Sequence, residues 1–170
     1  VVATNPATGC TVNMMSSTSV NISTLPTAYT VAVSASGYCA GGTGVTVTLS
    51  GSSTGVNYQL YRNGTIMIGS PVAGTGFTLD LGVHNFAGTY AISATNATTT
   101  CTADMAGSVI IVINPLPALF TLTGGGSYCS GGAGLDIVLA GSTAGIQYQL
   151  FRGTTVVGTM TGTGASLNFG

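Results

Sequence analysis

Runs in which apolar and polar residues alternate recur along this chain. An apolar side chain at every second position places one face of a β-strand on a core and the other face in water. Such strands are typical of an all-β protein whose sheets are buried on one side. Three runs show the alternation most clearly, with Thr, Gln or Asp expected to point outward between the apolar residues: Val45/Val47/Leu49, Val56/Tyr58/Leu60 and Phe77/Leu79/Leu81.

Turns rich in Gly, Ser and Asn separate these runs from further strand signals. About seven short strands joined in this way are expected of a β-sandwich of immunoglobulin size. The predicted strands are 29–33, 45–50, 56–62, a shorter 65–69, 77–81, 89–94 and 108–114, and a weak strand at 119–123 begins the series again.

The chain repeats itself at a spacing of about 90 residues. YCAGGTGVTVTLSGSSTGVNYQL at 38–60 matches YCSGGAGLDIVLAGSTAGIQYQL at 128–150, and GTGFTLDLG at 74–82 matches GTGASLNFG at 162–170. A further match near a spacing of 91 relates ATNPATGC at 3–10 to ATNATTTC at 94–101. This period is too long for a solenoid unit and suits a sandwich that buries its own core.

The repeat divides the chain into three parts. Residues 1–25 are expected to be the last two strands of a preceding immunoglobulin-like repeat, 26–115 a complete repeat, and 116–170 the first five strands of the next. The Pro-Leu-Pro at 115–117 is expected to be a stiff linker.

Partial sandwiches at both chain ends have open edges and should not be stable alone. Two interpretations are open. Either the chain is a window on a longer covalent array, which we prefer, or subunits complete one another head to tail by strand complementation, which would propagate as a filament.

Composition narrows the class of protein. Charged residues make up 3% of the 170 residues, and the net charge is −1, so no basic field attracts nucleic acid or an anionic membrane. The 45% of hydrophobic residues and the 27 glycines favour packed strands with tight turns over disorder. A net charge near zero also favours self-association. Because no apolar run reaches about 18 residues, no membrane-spanning helix is expected.

The segment AGTYAISATN at 87–96 looks like strand F of an immunoglobulin-like domain. Tyr90, near its start, stands where such domains carry the tyrosine-corner residue, and Tyr58 occupies the region of the usual strand-C Trp. The conventional inter-sheet cysteine pair is absent. The sequence therefore predicts immunoglobulin-like architecture rather than an antibody-type domain.

The combined pattern of YCxGG, YQLYR, AGTYxxxATNxxTxC and NPLP resembles the immunoglobulin-like tandem repeats of very large Bacteroidota surface proteins. The resemblance covers essentially the whole chain, although residues 21–27 read NISTLPT where the other copy has INPLPA. It implies export to the cell surface, commonly by type IX secretion, and a role in adhesion, gliding or extracellular structure. It implies no particular binding site.

Four cysteines, Cys10, Cys39, Cys101 and Cys129, fall at two positions of the repeat. Their even number in a chain expected to be exported predicts disulfides. In immunoglobulin topology the turns that hold Cys39 and Cys101 lie at opposite ends, beyond the permitted Cα separation of about 7 Å. A bond between consecutive repeats is favoured, with Cys10–Cys39 and Cys101–Cys129 preferred. A third pairing is also open. It joins the turn that holds Cys39, between strands A and B, to the turn between strands F and G of the following repeat.

Candidate catalytic chemistry is sparse. His84 has no acid beside it in sequence and is predicted to be a solvated loop histidine. Asp80 aligns with Asn168 and Asp136 with Thr46, so neither position requires a carboxylate. Without a CxxC and with one histidine, a zinc site is not expected. We therefore expect no catalytic residue, metal or cofactor.

Arg62 and Arg152 hold the same strand position, after YQLY and YQLF. One interpretation is a packed, partly exposed arginine that stacks on neighbouring aromatic rings. The other is a contact to a ligand or to another subunit.

Three classes of function compete. A secreted structural protein of a cell-surface fibre, with copies of itself as partners, accounts for the repeats, the low charge, the cysteines and the partial repeats. An adhesin stalk accounts for all but the self-association. A carbohydrate-binding accessory module would need an exposed aromatic platform, and the chain has no Trp. The first class is the preferred interpretation, with an unknown glycan or surface ligand left open.

Overall fold

The structure, a computed structural model, describes every residue from Val1 to Gly170 and consists of strands without helices. The prediction of an all-β fold is confirmed. The chain divides into two compact units, Val1–Ile113 and Asn114–Gly170. The strands are β1 (Val2–Thr4), β2 (Thr11–Asn13), β3 (Val31–Val33), β4 (Gly37–Cys39), β5 (Val45–Leu49), β6 (Val56–Arg62), β7 (Ile66–Ala73), β8 (Leu79–His84), β9 (Gly88–Asn96), β10 (Thr102–Asp104), β11 (Val109–Asn114), β12 (Leu122–Gly124), β13 (Ile137–Leu139), β14 (Gln147–Arg152), β15 (Thr155–Thr161) and β16 (Leu167–Asn168).

Two sheets of the first unit contribute to one hydrophobic core. The larger sheet has the strand order β4-β11-β9-β6-β7, with β10 also paired to β9, and the smaller sheet has the order β3-β5-β8. The smaller sheet supplies Val47 and Leu49, and the larger sheet supplies Tyr58, Leu60 and further buried residues. Every second residue of β5 is buried, as its alternating sequence predicts.

Several strand predictions agree closely with the structure. β6 has the predicted bounds, and β5 ends one residue earlier than expected. β7 extends to Ala73, well past the predicted end at residue 69. The short strands β4 and β10 were not predicted, because three residues are too few to show a period.

Two side-chain directions predicted from the alternation are wrong. Phe77 is 77% exposed, because β8 begins only at Leu79 and Phe77 lies in the preceding turn. Gln59 is buried, although its position in the alternation points it outward. The pairing of β6 with β7 shifts register between Tyr58 and Leu60, and the Gln59 amide nitrogen donates to the Ile68 carbonyl of β7 at 3.0 Å. A bulged neighbouring strand therefore covers this polar side chain.

The second unit contains a sheet of order β12-β13-β16 and a separate pair, β14-β15. These strands match β3-β5-β8 and β6-β7 of the first unit at spacings of about 88 to 91 residues, as the sequence repeat predicts. The corresponding turns are built alike. A Cβ on Gly74 would collide with the Ser53 carbonyl, and a Cβ on Gly162 would collide with the Thr143 carbonyl, so both turns require glycine.

Candidate functional site

Two hairpins of this chain close with the same register. Thr4 of β1 lies opposite Thr11 of β2, and Thr95 of β9 lies opposite Thr102 of β10, each residue 91 positions further along. The residues of β1 and β2 thus adopt by themselves the pairing that their counterparts adopt inside a complete sheet.

The turns of the two hairpins also match. The Asn5 amide donates to the Cys10 carbonyl at 2.8 Å, and the Asn96 amide donates to the Cys101 carbonyl at 2.9 Å. In each turn the asparagine Oδ1 accepts a hydrogen bond from the backbone amide two residues on, at 2.9 Å. The segment 1–14, which we call the N-terminal hairpin, is therefore a second copy of residues 92–105, which we call the β9–β10 tip.

The environments of the two hairpins differ sharply. In the β9–β10 tip, three apolar side chains belong to the core, whereas their counterparts in the N-terminal hairpin are exposed. The N-terminal hairpin therefore presents to solvent the apolar face that its copy buries. The three pairs are Val1 (99% exposed) with Ile92 (1%), Ala3 with Ala94, and Met14 (45%) with Met105 (5%).

One edge of β14 is open in the second unit. Its counterpart β6 pairs with β7 on one side and with β9 on the other, whereas β14 pairs with β15 alone. Tyr58 and Leu60 are buried, but the matching Tyr148 and Leu150 are only partly buried. We call the unpaired side of β14, with these two side chains, the β14 edge.

A buried serine holds the same turn in both units. The Ser52 hydroxyl donates to the Phe77 carbonyl at 2.7 Å and accepts from the Thr75 amide at 3.0 Å. Ser142 repeats these bonds with the Ala165 carbonyl at 2.6 Å and the Thr163 amide at 3.0 Å. Both serines satisfy backbone groups that would otherwise be left without partners.

The two tyrosines chosen from the sequence are both in the core. The Tyr90 hydroxyl donates to the Phe86 carbonyl four residues upstream at 2.9 Å. The Tyr58 hydroxyl accepts a hydrogen bond from the Ser53 amide at 2.8 Å. Tyr148 makes the same bond with the Thr143 amide. These tyrosines thus fix turns against strands rather than face a ligand.

The two arginines differ in their surroundings. The guanidinium carbon of Arg62 lies 4.8 Å from the ring centroid of Phe86, within cation–π range. Arg62 is partly buried, so it takes the stacked arrangement that one of the two interpretations describes. Arg152 is exposed and stacks on no aromatic ring.

His84 is not a solvated loop histidine, so that prediction is wrong. It ends β8 and is partly buried. Its Nε2 lies 3.0 Å from the Leu81 carbonyl, and its ring centroid lies 5.3 Å from that of Tyr90. The position at a strand end, which places the ring on Tyr90, could not be seen from a turn-like sequence.

All four cysteines are unpaired thiols in the structure, and only Cys101 is partly buried. Cys101 follows the C-terminal end of β9, where its carbonyl accepts a hydrogen bond from the Asn96 amide. Cys39 adjoins Tyr38, whose hydroxyl donates to the Asn85 carbonyl before the start of β9. The length of β9, roughly 26 Å for its eight residue steps, therefore separates Cys39 from Cys101. Cys39 and Cys101 are therefore too far apart for a disulfide within this unit.

Acidic groups form no cluster. No group of three or more His, Cys, Asp or Glu side chains could hold a metal ion. Asp80 accepts a hydrogen bond from the Gly82 amide at 2.8 Å, and the aligned Asn168 accepts one from the Gly170 amide at 2.9 Å. This turn therefore needs only a side-chain oxygen. A shallow depression of about 420 Å³, lined by residues of β6, β9 and β10 and by Gly64, holds one carboxyl group, that of Asp104.

No protein-family model, curated protein or solved structure matches this chain. The structure also contains no helix long and apolar enough to cross a membrane. Function is accordingly inferred from the fold and the contacts of the chain itself.

The sequence pattern missed the residues that make the N-terminal hairpin a copy of a core element. Met14 and Met105 are identical residues 91 positions apart, and Val1 and Ile92 are both aliphatic. The match at a spacing of 91 already aligns Val1 with Ile92, and its extension to Met14 would also have found the pair of Met14 and Met105.

Proposed function

We propose that this chain is a structural, non-catalytic segment of an extracellular cell-surface fibre built from immunoglobulin-like repeats. The observation that carries the proposal is the recurrence, at a spacing of about 90 residues, of whole strand sets with the same turns and hydrogen bonds. A protein that repeats its scaffold in this way, with five charged residues in 170, is typical of a structural array.

The immunoglobulin-like character of the repeat is supported by the first unit. Two sheets share one core, and Tyr90 makes the upstream hydrogen bond that marks a tyrosine corner. A location outside the cell is supported by the resemblance to Bacteroidota surface repeats.

Two modes of assembly fit this function. The repeats are joined in one long chain, or separate chains associate head to tail. Both modes bury the apolar surfaces of the N-terminal hairpin and of the β14 edge, which are exposed in the structure.

Immunogold electron microscopy of the cells that make this protein tests the function. Antibodies raised against the whole 170-residue chain are expected to label filaments of uniform width at the cell surface, and antibody absorbed with the chain is the control. Label on isolated flexible threads would favour the adhesin stalk instead. Label restricted to the cell interior would contradict the proposal.

A further inference from the structure

We propose that the outer face of the larger sheet binds a neutral sugar in the depression beside Tyr61. The inference goes beyond the proposed function, because a structural repeat needs no ligand. The depression measures about 420 Å³, within the range of about 300–1,000 Å³ that small-molecule sites occupy. It belongs to the first unit alone, and its lining consists of Tyr61, Gly64, Ala91, Ile92, Ser93 and Asp104.

The depression forms where the pairing along one edge of β9 is interrupted. β10 pairs with this edge as far as Ser93, and β11 pairs with it only from Tyr90 onward, so residues 91 and 92 have no strand opposite them there. The chain between β10 and β11 crosses to the smaller sheet, where the Ala106 amide donates to the Tyr29 carbonyl at 2.8 Å. Backbone hydrogen bonds therefore hold the gap open before any ligand binds, which favours affinity.

Three side chains offer polar atoms to this depression. Tyr61, Ser93 and Asp104 lie on the outer face of the sheet, since neighbours that alternate with them, such as Leu60 and Ile92, belong to the core. Asp104 stands directly opposite Ser93. None of the three side chains makes a hydrogen bond within the chain. Their hydroxyl and carboxylate oxygens are therefore available to a ligand.

A buried amide oxygen on the same face also lacks a partner. Gln59 lies opposite Ser93, is 7% exposed, and its Oε1 accepts no hydrogen bond. Its Nε2 donates to the Ile68 carbonyl of β7, so the oxygen faces away from β7. Buried acceptors are nearly always satisfied, and this oxygen therefore indicates that a group from outside the chain supplies a donor beside Ser93.

The polar groups of the depression select a neutral ligand rich in hydroxyl groups. The carboxylate of Asp104 only accepts hydrogen bonds, and no Lys, Arg or His lines the depression, so a phosphate, sulfate or carboxylate is repelled. A sugar supplies several hydroxyl donors at the edge of its ring and an apolar face of CH groups, which packs on an aromatic ring such as that of Tyr61. One carboxylate is too few for a calcium site.

The N-terminal hairpin shows that the fold does not require these polar residues. Val2 and Asn13 stand 91 positions before Ser93 and Asp104, and they pair in the same register. The same hairpin thus also forms with an aliphatic side chain and an uncharged amide at these two places. The scaffold alone does not account for Ser93 and Asp104, whereas a ligand does.

Nuclear magnetic resonance of the full 170-residue chain tests the site. The isotope-labelled chain is titrated with methyl glycosides of glucose, galactose, mannose and N-acetylglucosamine, each to tens of millimolar. At least one is expected to shift the amide signals of 91–93 and 104, with a dissociation constant in the millimolar range. Glucuronate, which carries a carboxylate on the same ring as glucose, should bind at least about tenfold more weakly. No shift with any neutral sugar, or tighter binding of glucuronate, would overturn the proposal.

A pair of charge-removing variants locates the bound sugar. Asp104→Asn introduces the residue type that stands at this place in the N-terminal hairpin, and it should weaken binding about tenfold, because a charged acceptor makes the stronger hydrogen bond. Asp80→Asn is the matched control. It removes the same charge from the other sheet, where the aligned Asn168 makes the same turn, and should leave binding unchanged. Equal affinities of the two variants would refute the site.

Substitutions of Tyr61 test the packing of the sugar on its ring. Tyr61→Ala should weaken binding by at least about tenfold, because the apolar contact is lost. Tyr61→Phe keeps the ring, as Phe151 does at the matching place in the second unit, and should weaken binding far less. The remaining amide signals report whether each variant is folded. Equal losses in two folded variants would contradict the proposed packing.

Discussion

Tyr90 holds the start of β9 through one hydrogen bond, from its hydroxyl to the Phe86 carbonyl at 2.9 Å. The ring is buried in the core and touches His84 on one side. Loss of the hydroxyl leaves a partly buried carbonyl without this donor, and such a loss typically costs about 1 kcal/mol. At the scale of single residues, stability therefore depends on a few polar atoms within an apolar core.

We expect Tyr90→Phe to lower the free energy of unfolding by about 1 kcal/mol, because the ring stays and only the hydrogen bond is lost. Urea unfolding followed by tyrosine fluorescence measures this change. Tyr61→Phe is the matched control, since the Tyr61 hydroxyl makes no side-chain hydrogen bond in the structure. Equal effects of the two substitutions would show that the hydrogen bond from Tyr90 to Phe86 does not stabilise the fold.

At the scale of elements, two hairpins of this protein are closed by turns in which one residue has a positive φ. Thr100 closes the turn after β9 with a positive φ of 57°, which a β-branched residue rarely adopts. The N-terminal hairpin has Gly9 at the same place, with φ of 72°. The turn after β9 is therefore more strained, with Thr100, than the matching turn of the N-terminal hairpin, with Gly9.

Thr100→Gly is expected to raise the free energy of unfolding by about 0.5–1 kcal/mol, because relief of the strained φ outweighs the added flexibility of the unfolded chain. Thermal unfolding detects the change as a higher Tm. Thr99→Gly, one residue earlier and without a positive φ, should instead destabilise the protein by a similar amount. Destabilisation by both substitutions would contradict the argument.

Much of the fold could be predicted from elements with a clear period. The bounds of β6 and the buried residues of β5 follow from alternation alone, and the internal repeat locates their counterparts. Gln59 and Phe77 could not be placed, because a bulge on a neighbouring strand and a late strand start decide their burial. These are properties of pairing between strands, which a single strand's pattern does not contain.

The candidate site was predicted only in outline. Head-to-tail complementation was one of two interpretations of the partial repeats, but the hairpin residues that would carry it were not singled out. Burial of Met105 and exposure of Met14 are facts of tertiary structure. Two identical residues in the sequence do not show that one is in a core and the other in solvent.

At the scale of the whole molecule, the two units differ in how completely their cores are covered. The first unit buries Tyr58 and Leu60, whereas the second leaves Tyr148 and Leu150 partly exposed. Local stability follows the density of buried contacts. The second unit is therefore expected to open more readily than the first.

Hydrogen exchange at low protein concentration should show this difference. Backbone amides of β14 are expected to exchange at least about tenfold faster than those of β6, because β6 has strand partners on both sides and β14 on one. Mass spectrometry of peptides that cover 56–62 and 147–152 measures both rates in one sample. Equal protection of the two peptides in a monomeric sample would contradict the prediction.

The near-identity of the two hairpins creates a competition during folding. While β9 is still unpaired, the N-terminal hairpin offers β6 a second strand of the same pattern, which is the usual origin of swapped and misassembled repeats. The order of the strands favours the correct partner, because β9 follows β6 more closely along the chain than the N-terminal hairpin precedes it. A shorter loop costs less entropy to close, so separation along the chain distinguishes two strands that their sequences do not.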